Sequence, residues 1–382
     1  MANYGYEIVN GRKIRVRPKE TVSEIDKNGY FRRQPNHFTT PFGDGENDLK
    51  AEGNKRYRLV WAKLCHWSNR AAIVRELEGL EDQISVNMVE HAPHEKNLGW
   101  EYVYNENNID PVLGDQFLSE AYYRADDDYQ GRTTVPALID TTTGKVVNND
   151  YNWLTTYFEV NFRPWHKKGA PELYPVELRE EIDKMNLWLF DNINNAVYRS
   201  SFSRSNEGHF DGVNTFYAAM DRLEKRLETN RFLFGDYVTD SDIRLYVTLA
   251  RLDIRYTAQL GETKHPLYTY KNLWGYAKEL WEIPAFAHHT DFAAIIRQGR
   301  IEGEEDGFRA STHYDLALPK IDWDAQWKVS TERAYLSSDP THPIYLGNNR
   351  RFDIDPTWYD LGAESPKKEE KETPPSCGCC CG

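Results

Sequence analysis

One cysteine, Cys65, stands in the stretch LCHWSNR (64–70), between an apolar run and a segment with helical periodicity. RYRLVWAKL (56–64) predicts a largely buried strand, and RAAIVRELEGL (70–80) predicts a helix that stops at Gly79. Cys65 is therefore expected close to the N-terminus of the helix, where unpaired backbone amides and the helix dipole stabilise a thiolate. Since the thiolate is the nucleophilic form of cysteine, this position predicts a reactive thiol.

Ser68 occupies the position at which a C-x-x-C motif has its second thiol. In such a pair the second thiol releases the substrate by closing an intramolecular disulfide. A serine cannot do this, so an adduct on Cys65 would have to be released by an external thiol. The sequence predicts monothiol chemistry with a small-molecule thiol as co-substrate; the alternative is that Cys65 is a buried apolar residue, as most isolated cysteines are.

The segment RTTVPALIDTTTGKVVNND (132–150) contains two short strand patterns joined by the turn TTTG, and it predicts an antiparallel hairpin. Two strand–helix units precede the hairpin, the second of them with an acidic, aromatic helical region over roughly 110–128, and a helix follows the hairpin near Asp150. This is the order of a thioredoxin-like domain. In that fold the proline that begins the third strand, here Pro136, is cis and lies opposite the reactive cysteine. The residue before it, Val135, would offer backbone groups to a peptide-like thiol. An edge-strand or turn proline is the ordinary alternative.

From residue 175 onwards, apolar residues recur at spacings of three and four, which predicts a domain that is helical almost throughout. TDSDIRLYVTLARLDI (239–254) opens with a capping-box pattern, and NLWGYAKELWEIP (272–284) is a further amphipathic helix closed by Pro284. The first ~55 residues are polar and irregular, which predicts a loop-rich arm without regular strands. The predicted organisation is this N-terminal arm (1–55), which packs through Phe31, Phe38 and Phe42, a thioredoxin-like domain (56–165), an all-helical domain (175–300), a wrapping extension (301–363) and a flexible Cys-rich tail (364–382).

The composition limits the setting in which the protein works. Asp and Glu total 60 against 47 Lys and Arg, for a formal net charge of -13, and no stretch offers the clustered positive charge of a nucleic-acid surface. No window approaches the length of an apolar membrane span, and the first residues lack the apolar core of a signal peptide. We therefore expect a cytoplasmic protein without nucleic-acid or membrane partners.

Several segments together resemble the glutathionyl-hydroquinone reductases, the Xi class of glutathione transferases. CHWSNR (65–70) approximates the family motif Cys-Pro-Trp-Ala-His-Arg, with His66 in place of the proline. The other segments that carry the likeness are Gly99-Trp100, the hairpin 129–150, the second-domain entry 172–198 and the capped helix 239–256. The resemblance implies an α/β thioredoxin-like N-terminal domain followed by an all-α glutathione-transferase C-terminal domain, and it suggests a homodimer.

The resemblance also implies an activity, the reduction of glutathionyl-hydroquinones. Cys65 would attack the sulfur of the thioether, the hydroquinone would leave, and a second thiol would resolve the mixed disulfide. Tyr198 and Tyr256 would line the pocket for the aromatic electrophile and donate to the leaving oxygen. The residues that would bind the thiol, glutathione or another low-molecular-weight thiol, are Trp100, Val135, Pro136, Asp150 and Tyr151. The last two stand where the family has Glu-Ser.

The tail contains the other four cysteines, Cys377, Cys379, Cys380 and Cys381, after the charged linker ESPKKEEKETPPS (364–376). Thiolates so close together suit a soft metal such as Cu(I) or Zn(II). They could equally form a redox-active disulfide that reaches Cys65, or be a solvated tail with no such role. Three functions thus remain open: a Cys65-dependent thiol transferase or reductase, a general thiol–disulfide oxidoreductase, and a soft-metal or thiol-buffering protein that acts through the tail.

Overall fold

The N-terminal half of the chain is built around short strands. A computed structural model describes residues 5–16, 23–91, 98–261, 266–296, 322–329 and 332–337. Within these ranges the strands are β1 (Gly5–Val9), β2 (Arg12–Val16), β3 (Tyr57–Trp61), β4 (Ile84–Met88), β5 (Glu90–His91), β6 (Trp100–Glu101), β7 (Ala137–Asp140) and β8 (Lys145–Asn148).

Four of the strands form one sheet in the order β4-β3-β7-β8, with β3 and β4 parallel and the other pairs antiparallel. Strand β3 is buried over its whole length, as expected of a central strand covered on both faces. Its one charged residue, Arg58, donates to the buried carboxylate of Asp110 at 2.8 Å, so the interior cation is paired. β7 and β8 form the predicted hairpin, and the fourth residue of its TTTG turn, Gly144, has a φ of +66°.

Helices fill the rest of the described chain. They are α1 (His66–Leu77), α2 (Leu118–Ala125), α3 (Leu154–Val160), α4 (Arg179–Leu189), α5 (Ala196–Phe202), α6 (Asn206–Arg226), α7 (Asp240–Arg251), α8 (Thr257–Gln259), α9 (Lys271–Trp281), α10 (Pro284–His288) and α11 (Trp323–Trp327). The α/β half followed by an all-α half confirms the predicted fold class. No helix in the described ranges is long and apolar enough to cross a membrane.

Helix α7 is the centre of the helical half, and every one of its residues is buried. It begins as predicted: the Asp242 side chain accepts from the Thr239 backbone N–H at 2.8 Å and from the Thr239 hydroxyl at 3.0 Å, closing a capping box. The described part of the extension packs on this half. Trp327 is buried, and its ring lies 5.1 Å from that of Trp274 and 6.2 Å from that of Tyr246.

Two π-helical segments interrupt the regular helices, Phe190–Asn194 after α4 and Leu252–Tyr256 after α7. A π segment widens the turn by one residue and is frequently found at functional sites. Here the first precedes the helix that carries Tyr198, and the second ends at Tyr256. The spacing of apolar residues did not predict either interruption.

Three expectations about local structure were wrong. The arm contains the antiparallel hairpin β1–β2, because RKIRV buries Ile14 and Val16 on one face and leaves Lys13 exposed on the other. Helix α1 begins at His66, four residues earlier than predicted. The helix expected over 110–128 is limited to α2, because Asp110 accepts from two following backbone amides and Gly114, at a φ of +72°, closes a turn instead.

Candidate active site

Cys65 is the N-cap residue of α1, immediately after the loop that leaves β3. Its side chain is partly buried and is a free thiol. The sulfur lies 3.8 Å from the carbonyl oxygen of Val135, and the Val135–Pro136 peptide bond is cis. The structure therefore brings the predicted nucleophile and the predicted thiol-facing backbone together at one point.

Ser68 has a structural part in this loop. Its hydroxyl accepts from the Ala62 backbone N–H at 3.1 Å and lies 3.2 Å from the carbonyl oxygens of Ala62 and Cys65. The side chain is completely buried, so these bonds replace the water that the backbone groups would otherwise bind. The hydroxyl thus closes the turn between β3 and α1, at the position where a resolving thiol would stand in a C-x-x-C protein.

Arg251, from α7, holds the same loop from the other half of the molecule. Its Nε donates to the carbonyl oxygen of Leu64 at 2.9 Å, and its Nη2 donates to that of Lys63 at 3.1 Å and to the side-chain oxygen of Asn69. Arg251 is buried, and three of the acceptors it satisfies flank the nucleophile on both sides. Arg251 was not predicted, because its one signal in the sequence is its position at the end of the amphipathic helix α7.

Two further guanidinium groups lie on Trp67. Arg70, buried within α1, has its guanidinium carbon 4.8 Å from the Trp67 ring centroid, and Arg33, from the arm, lies 4.6 Å from it. Burial and the charge of Arg244 lower the pKa of Arg70 to about 9, and the charge of Asp240 acts in the opposite direction. Within the described residues, Nε and Nη2 of Arg70 and Nη2 of Arg33 have no hydrogen-bond partner. The site therefore contains positively charged guanidinium groups with N–H donors that the described residues leave unbonded.

Arg33 was not predicted, because nothing in the irregular arm sequence indicates that its side chain reaches the cleft. Its Nε donates to the side-chain oxygen of Asn195 at 2.9 Å, and its guanidinium also lies 4.4 Å from the ring of Tyr198. Burial lowers the pKa of Arg33, opposed by the charges of Tyr198 and Tyr151. The N-terminal arm thus contributes a positive charge to a pocket that we predicted to be lined by residues of the thioredoxin-like and helical domains alone.

Tyr198 and Tyr256, the two tyrosines predicted for the aromatic pocket, lie close together with their ring centroids 6.5 Å apart. Tyr198 also contacts Trp67, at 5.8 Å, and His66, at 5.2 Å. The Tyr256 hydroxyl is 3.1 Å from Nδ1 of His66. Burial, followed by the neighbouring Tyr198, raises the pKa of Tyr256 well above its usual value, so Tyr256 is a neutral phenol with a proton to donate.

The residues predicted to bind the thiol lie in three places. Asp150 is buried, and its Oδ1 accepts from the side-chain amide of Asn36 at 2.8 Å and from the Asn152 backbone at 2.9 Å. The N-cap residue of α3 is Trp153. Tyr151 stacks against the aromatic pocket, with its ring 4.6 Å from that of Trp67.

Trp100 stacks on His91 at 3.9 Å, and its indole N–H donates to the carbonyl oxygen of Thr133 at 3.1 Å. Its indole N–H is therefore already hydrogen-bonded, by a residue of the loop that leads to the cis proline. The tail cysteines Cys377, Cys379, Cys380 and Cys381 lie outside the described residues. Within the described ranges, no group of three His, Cys, Asp or Glu side chains could hold a metal ion.

Comparison with known proteins gives a consistent result. The family profile "Glutathione S-transferase, C-terminal domain" matches residues 197–279. The protein "Glutathione S-transferase omega-like 2" of Schizosaccharomyces pombe is 34% identical over 280 residues, which cover 70% of this chain and 88% of that protein. The Escherichia coli protein "Glutathionyl-hydroquinone reductase YqjG" is 33% identical over 240 residues, or 63% of this chain and 73% of its own length.

Solved structures agree with the sequence relatives. The glutathione-bound structure of YqjG has a TM-score of 0.67 at 29% identity, and the match covers 80% of this chain and 97% of that one. The "glutathione-S-transferase Xi" of Phanerochaete chrysosporium has a TM-score of 0.65 at 33% identity, covering 71% of this chain and 88% of that one. The likeness thus extends through both halves of the fold.

Proposed function

Because this chain belongs to the glutathionyl-hydroquinone reductase family, the Xi class of glutathione transferases, we propose that it removes glutathione reductively from glutathionyl-hydroquinones through a mixed disulfide on Cys65. It is a glutathione-transferase-like, thiol-dependent reductase. The observation that carries the proposal is the position of the Cys65 sulfur, at the start of α1 and 3.8 Å from the carbonyl of the residue before the cis proline.

The first step breaks the carbon–sulfur bond of the substrate. The Cys65 thiolate attacks the thioether sulfur, a sulfur–sulfur bond forms, and the electron pair of the broken bond passes to the hydroquinone ring. The leaving hydroquinone must take up one proton. Tyr198 and Tyr256 are suited to donate it, because both hydroxyl-bearing rings lie beside His66, the residue next to the nucleophile.

The second step releases the thiol from the enzyme. A second glutathione attacks the mixed disulfide, so the oxidised product is glutathione disulfide and the Cys65 thiolate is regenerated. Ser68 cannot supply the resolving thiol, and its hydroxyl is engaged with the backbone of Ala62. The sum of the two steps is one glutathionyl-hydroquinone plus one glutathione giving one hydroquinone plus one glutathione disulfide.

The thiol subsite is proposed along the cis Val135–Pro136 bond and Asp150-Tyr151. The buried Asp150 carboxylate is held by Asn36 and is suited to an ammonium group such as that of the γ-glutamyl residue. Tyr151 fills space beside Trp67, so that less room is left for the bound thiol than a serine at this position would leave. Trp100 supports this subsite by packing, since its N–H is bonded to Thr133. We retain the homodimer and a cytoplasmic location as predictions.

Turnover of a glutathionyl-hydroquinone with excess glutathione tests the proposal. Free hydroquinone and glutathione disulfide are measured chromatographically for the wild type, for Cys65→Ser and for a variant in which the four tail cysteines are serine. We expect equimolar products from the wild type and from the tail variant and none from Cys65→Ser. Mass spectrometry of Cys65 after a single turnover at limiting glutathione should show the glutathione adduct.

The outcomes separate the functions that the sequence left open. Reduction of mixed disulfides without turnover of the thioether would indicate a general thiol–disulfide oxidoreductase. Loss of turnover in the tail variant, with a persistent adduct on Cys65, would show that the tail is the resolving thiol. Activity that survives both sets of substitutions would refute the assignment of the nucleophile.

A further inference from the structure

His66 is the residue at which this chain departs from the proline of the family motif. It is the first residue of α1, a position at which proline is well tolerated because its missing N–H would be unpaired in any case. The imidazole is only 1% exposed, and burying a polar ring is costly unless its nitrogen atoms are hydrogen-bonded. The substitution therefore needs a compensating contact.

That contact comes from the helical half of the protein. Nδ1 of His66 lies 3.1 Å from the hydroxyl oxygen of Tyr256 and 3.4 Å from that of Thr248. The Thr248 hydroxyl already accepts from the side-chain amide of Asn194 at 2.7 Å. Nε2 of His66 has no hydrogen-bond partner among the residues that the structure describes. The closer bond, to Tyr256, is therefore the main polar contact of the ring.

The surroundings keep the imidazole neutral. Burial lowers the pKa of His66 well below its usual value, and four arginines add to the effect, Arg251, Arg70, Arg33 and Arg255. Tyr198, Tyr256 and the adjacent Cys65 are the other titratable groups near the ring. Since the groups that depress this pKa belong to the arm, to α1 and to α7 with its π-helical continuation, the ring is uncharged in the working range of a cytoplasmic enzyme.

A neutral imidazole carries one N–H, and its position decides the direction of the bond to Tyr256. A buried N–H without an acceptor is rarer in proteins than a buried acceptor without a donor. Because Nε2 has no partner, the proton is assigned to Nδ1, which then donates to the Tyr256 oxygen. The hydroxyl proton of Tyr256 is left to point elsewhere, towards Tyr198 or a ligand.

We infer that His66 is a positioning residue for Tyr256, whose phenol oxygen it holds by an N–H donor so that Tyr256 can give its proton to the departing hydroquinone. The inference rests on the proposed function. When Tyr256 gives up its proton, the N–H of His66 stabilises the tyrosinate, and the positive charges of Arg251 and Arg255 act in the same direction. Burial and the neighbouring Tyr198 both oppose that ionisation, so the donor matters most in the step that transfers the proton.

This role selects a class of substrate. A hydroquinone leaves from sulfur only with uptake of a proton, whereas the thiol that leaves from a mixed disulfide departs as a stable thiolate. Proton donation by Tyr256, and its support by His66, should therefore favour aryl thioethers over disulfides. A purely structural role for His66 would affect both substrates alike.

The test compares two substrates across matched variants. The substrates are a glutathionyl-hydroquinone and the mixed disulfide of glutathione with 2-mercaptoethanol, each with excess glutathione. His66→Phe keeps an aromatic ring but removes both nitrogens, and His66→Asn retains a donor at the place of Nδ1. Tyr256→Phe and the double variant His66→Phe/Tyr256→Phe complete a double-mutant cycle. Tyr270→Phe is the control for the loss of a buried tyrosine hydroxyl, because the hydroxyl of Tyr270 donates to Asp221 elsewhere in the helical half.

We expect His66→Phe to lower kcat for the thioether by about fivefold to tenfold, the value of one neutral hydrogen bond. Turnover of the disulfide should change by less than about twofold, and His66→Asn should recover most of the loss. The double variant should be no slower than Tyr256→Phe. Equal losses on both substrates, or losses that multiply in the double variant, would overturn the inference.

A measurement without turnover completes the design. The ¹⁵N chemical shifts of His66, assigned by their absence in His66→Phe, report which ring nitrogen carries the proton. A neutral ring protonated at Nδ1 is expected, and a ring protonated at Nε2, or a cationic ring, would overturn the inference. If the wild type reduces the disulfide but not the thioether, the proposed function fails and the proton-donor role fails with it, while the shifts still show whether the hydrogen bond exists.

Discussion

The loop that bears the nucleophile should lose its position when Arg251 is replaced. The perturbation is Arg251→Met, which keeps an unbranched side chain of similar length and removes every donor. Leu64, Lys63 and Asn69 each lose a hydrogen bond from this guanidinium. No other side-chain donor to these three acceptors lies within the described residues, so the substitution leaves them without a side-chain partner.

The expected cost follows from those three acceptors. A buried acceptor that loses its donor costs about 1–3 kcal/mol. The lower end applies here, because removing the guanidinium also removes the cost of burying its charge. We therefore expect the free energy of unfolding to fall by about 3 kcal/mol, three acceptors at about 1 kcal/mol each. A shift of the Cys65 sulfur by about 1 Å should reduce turnover by about 100-fold.

Urea unfolding and turnover of the thioether are measured on the same preparations. The matched control is Lys184→Met, which breaks an exposed ion pair with Glu180 in α4 at 2.7 Å. That change should cost less than about 0.5 kcal/mol and leave turnover unaltered. A loss of stability below about 1 kcal/mol together with unchanged turnover in Arg251→Met would refute the reasoning, because the loop would then be held by its own domain.

Three further substitutions test separate contacts. Ser68→Ala should lower the free energy of unfolding by about 1–3 kcal/mol, since the buried N–H of Ala62 loses its acceptor; thermal unfolding would detect the change, and an unchanged midpoint would contradict it. Arg33→Gln should raise KM for the electrophile by about tenfold with the KM of glutathione unaltered, because the unpartnered Nη2 is the donor that a substrate oxygen can use. His289, with Nε2 3.0 Å from one oxygen of Glu76, and His288, with Nδ1 2.7 Å from the other, lower the pKa of Glu76 to about 2, against an ordinary value of 4.5. The stability that this carboxylate contributes is complete above pH 4.5 and is lost as the pH falls towards 2, so Glu76→Gln should lose less stability than the wild type across that window in acid unfolding, and parallel curves would disprove the assignment.

The parts of the site that lie on regular elements could be predicted from the sequence. Cys65 and Val135 meet because a strand, a helix and a hairpin in that order place the helix start beside the proline-led strand. Periodicity and the capping box located α7, and with it Tyr256 near its end. These predictions rest on patterns of residues that are close together in the sequence, and tertiary contacts did not override those patterns here.

The residues that were missed make contacts at long range. Arg33 bonds Asn195, 162 positions away in the chain, and nothing local to the arm indicates such a partner. The start of α1 was placed too late because its N-cap side chain, Cys65, makes no capping hydrogen bond and the first turn holds residues that are weak helix formers. The roles of His66 and Arg251 depend on where the two halves meet, which a single sequence does not reveal.

The arginine that crosses between the two halves also limits how such proteins can be recombined. The backbone around Cys65 belongs to the thioredoxin-like half, but the group that fixes it belongs to α7 of the helical half. A chimera that joins this N-terminal half to the helical half of another transferase would keep the nucleophile but lose Arg251, unless the incoming helix supplies an equivalent donor. The loop at 63–69 and α7 are therefore the pair that must be exchanged together, and gene fragments cut at the domain boundary would separate them.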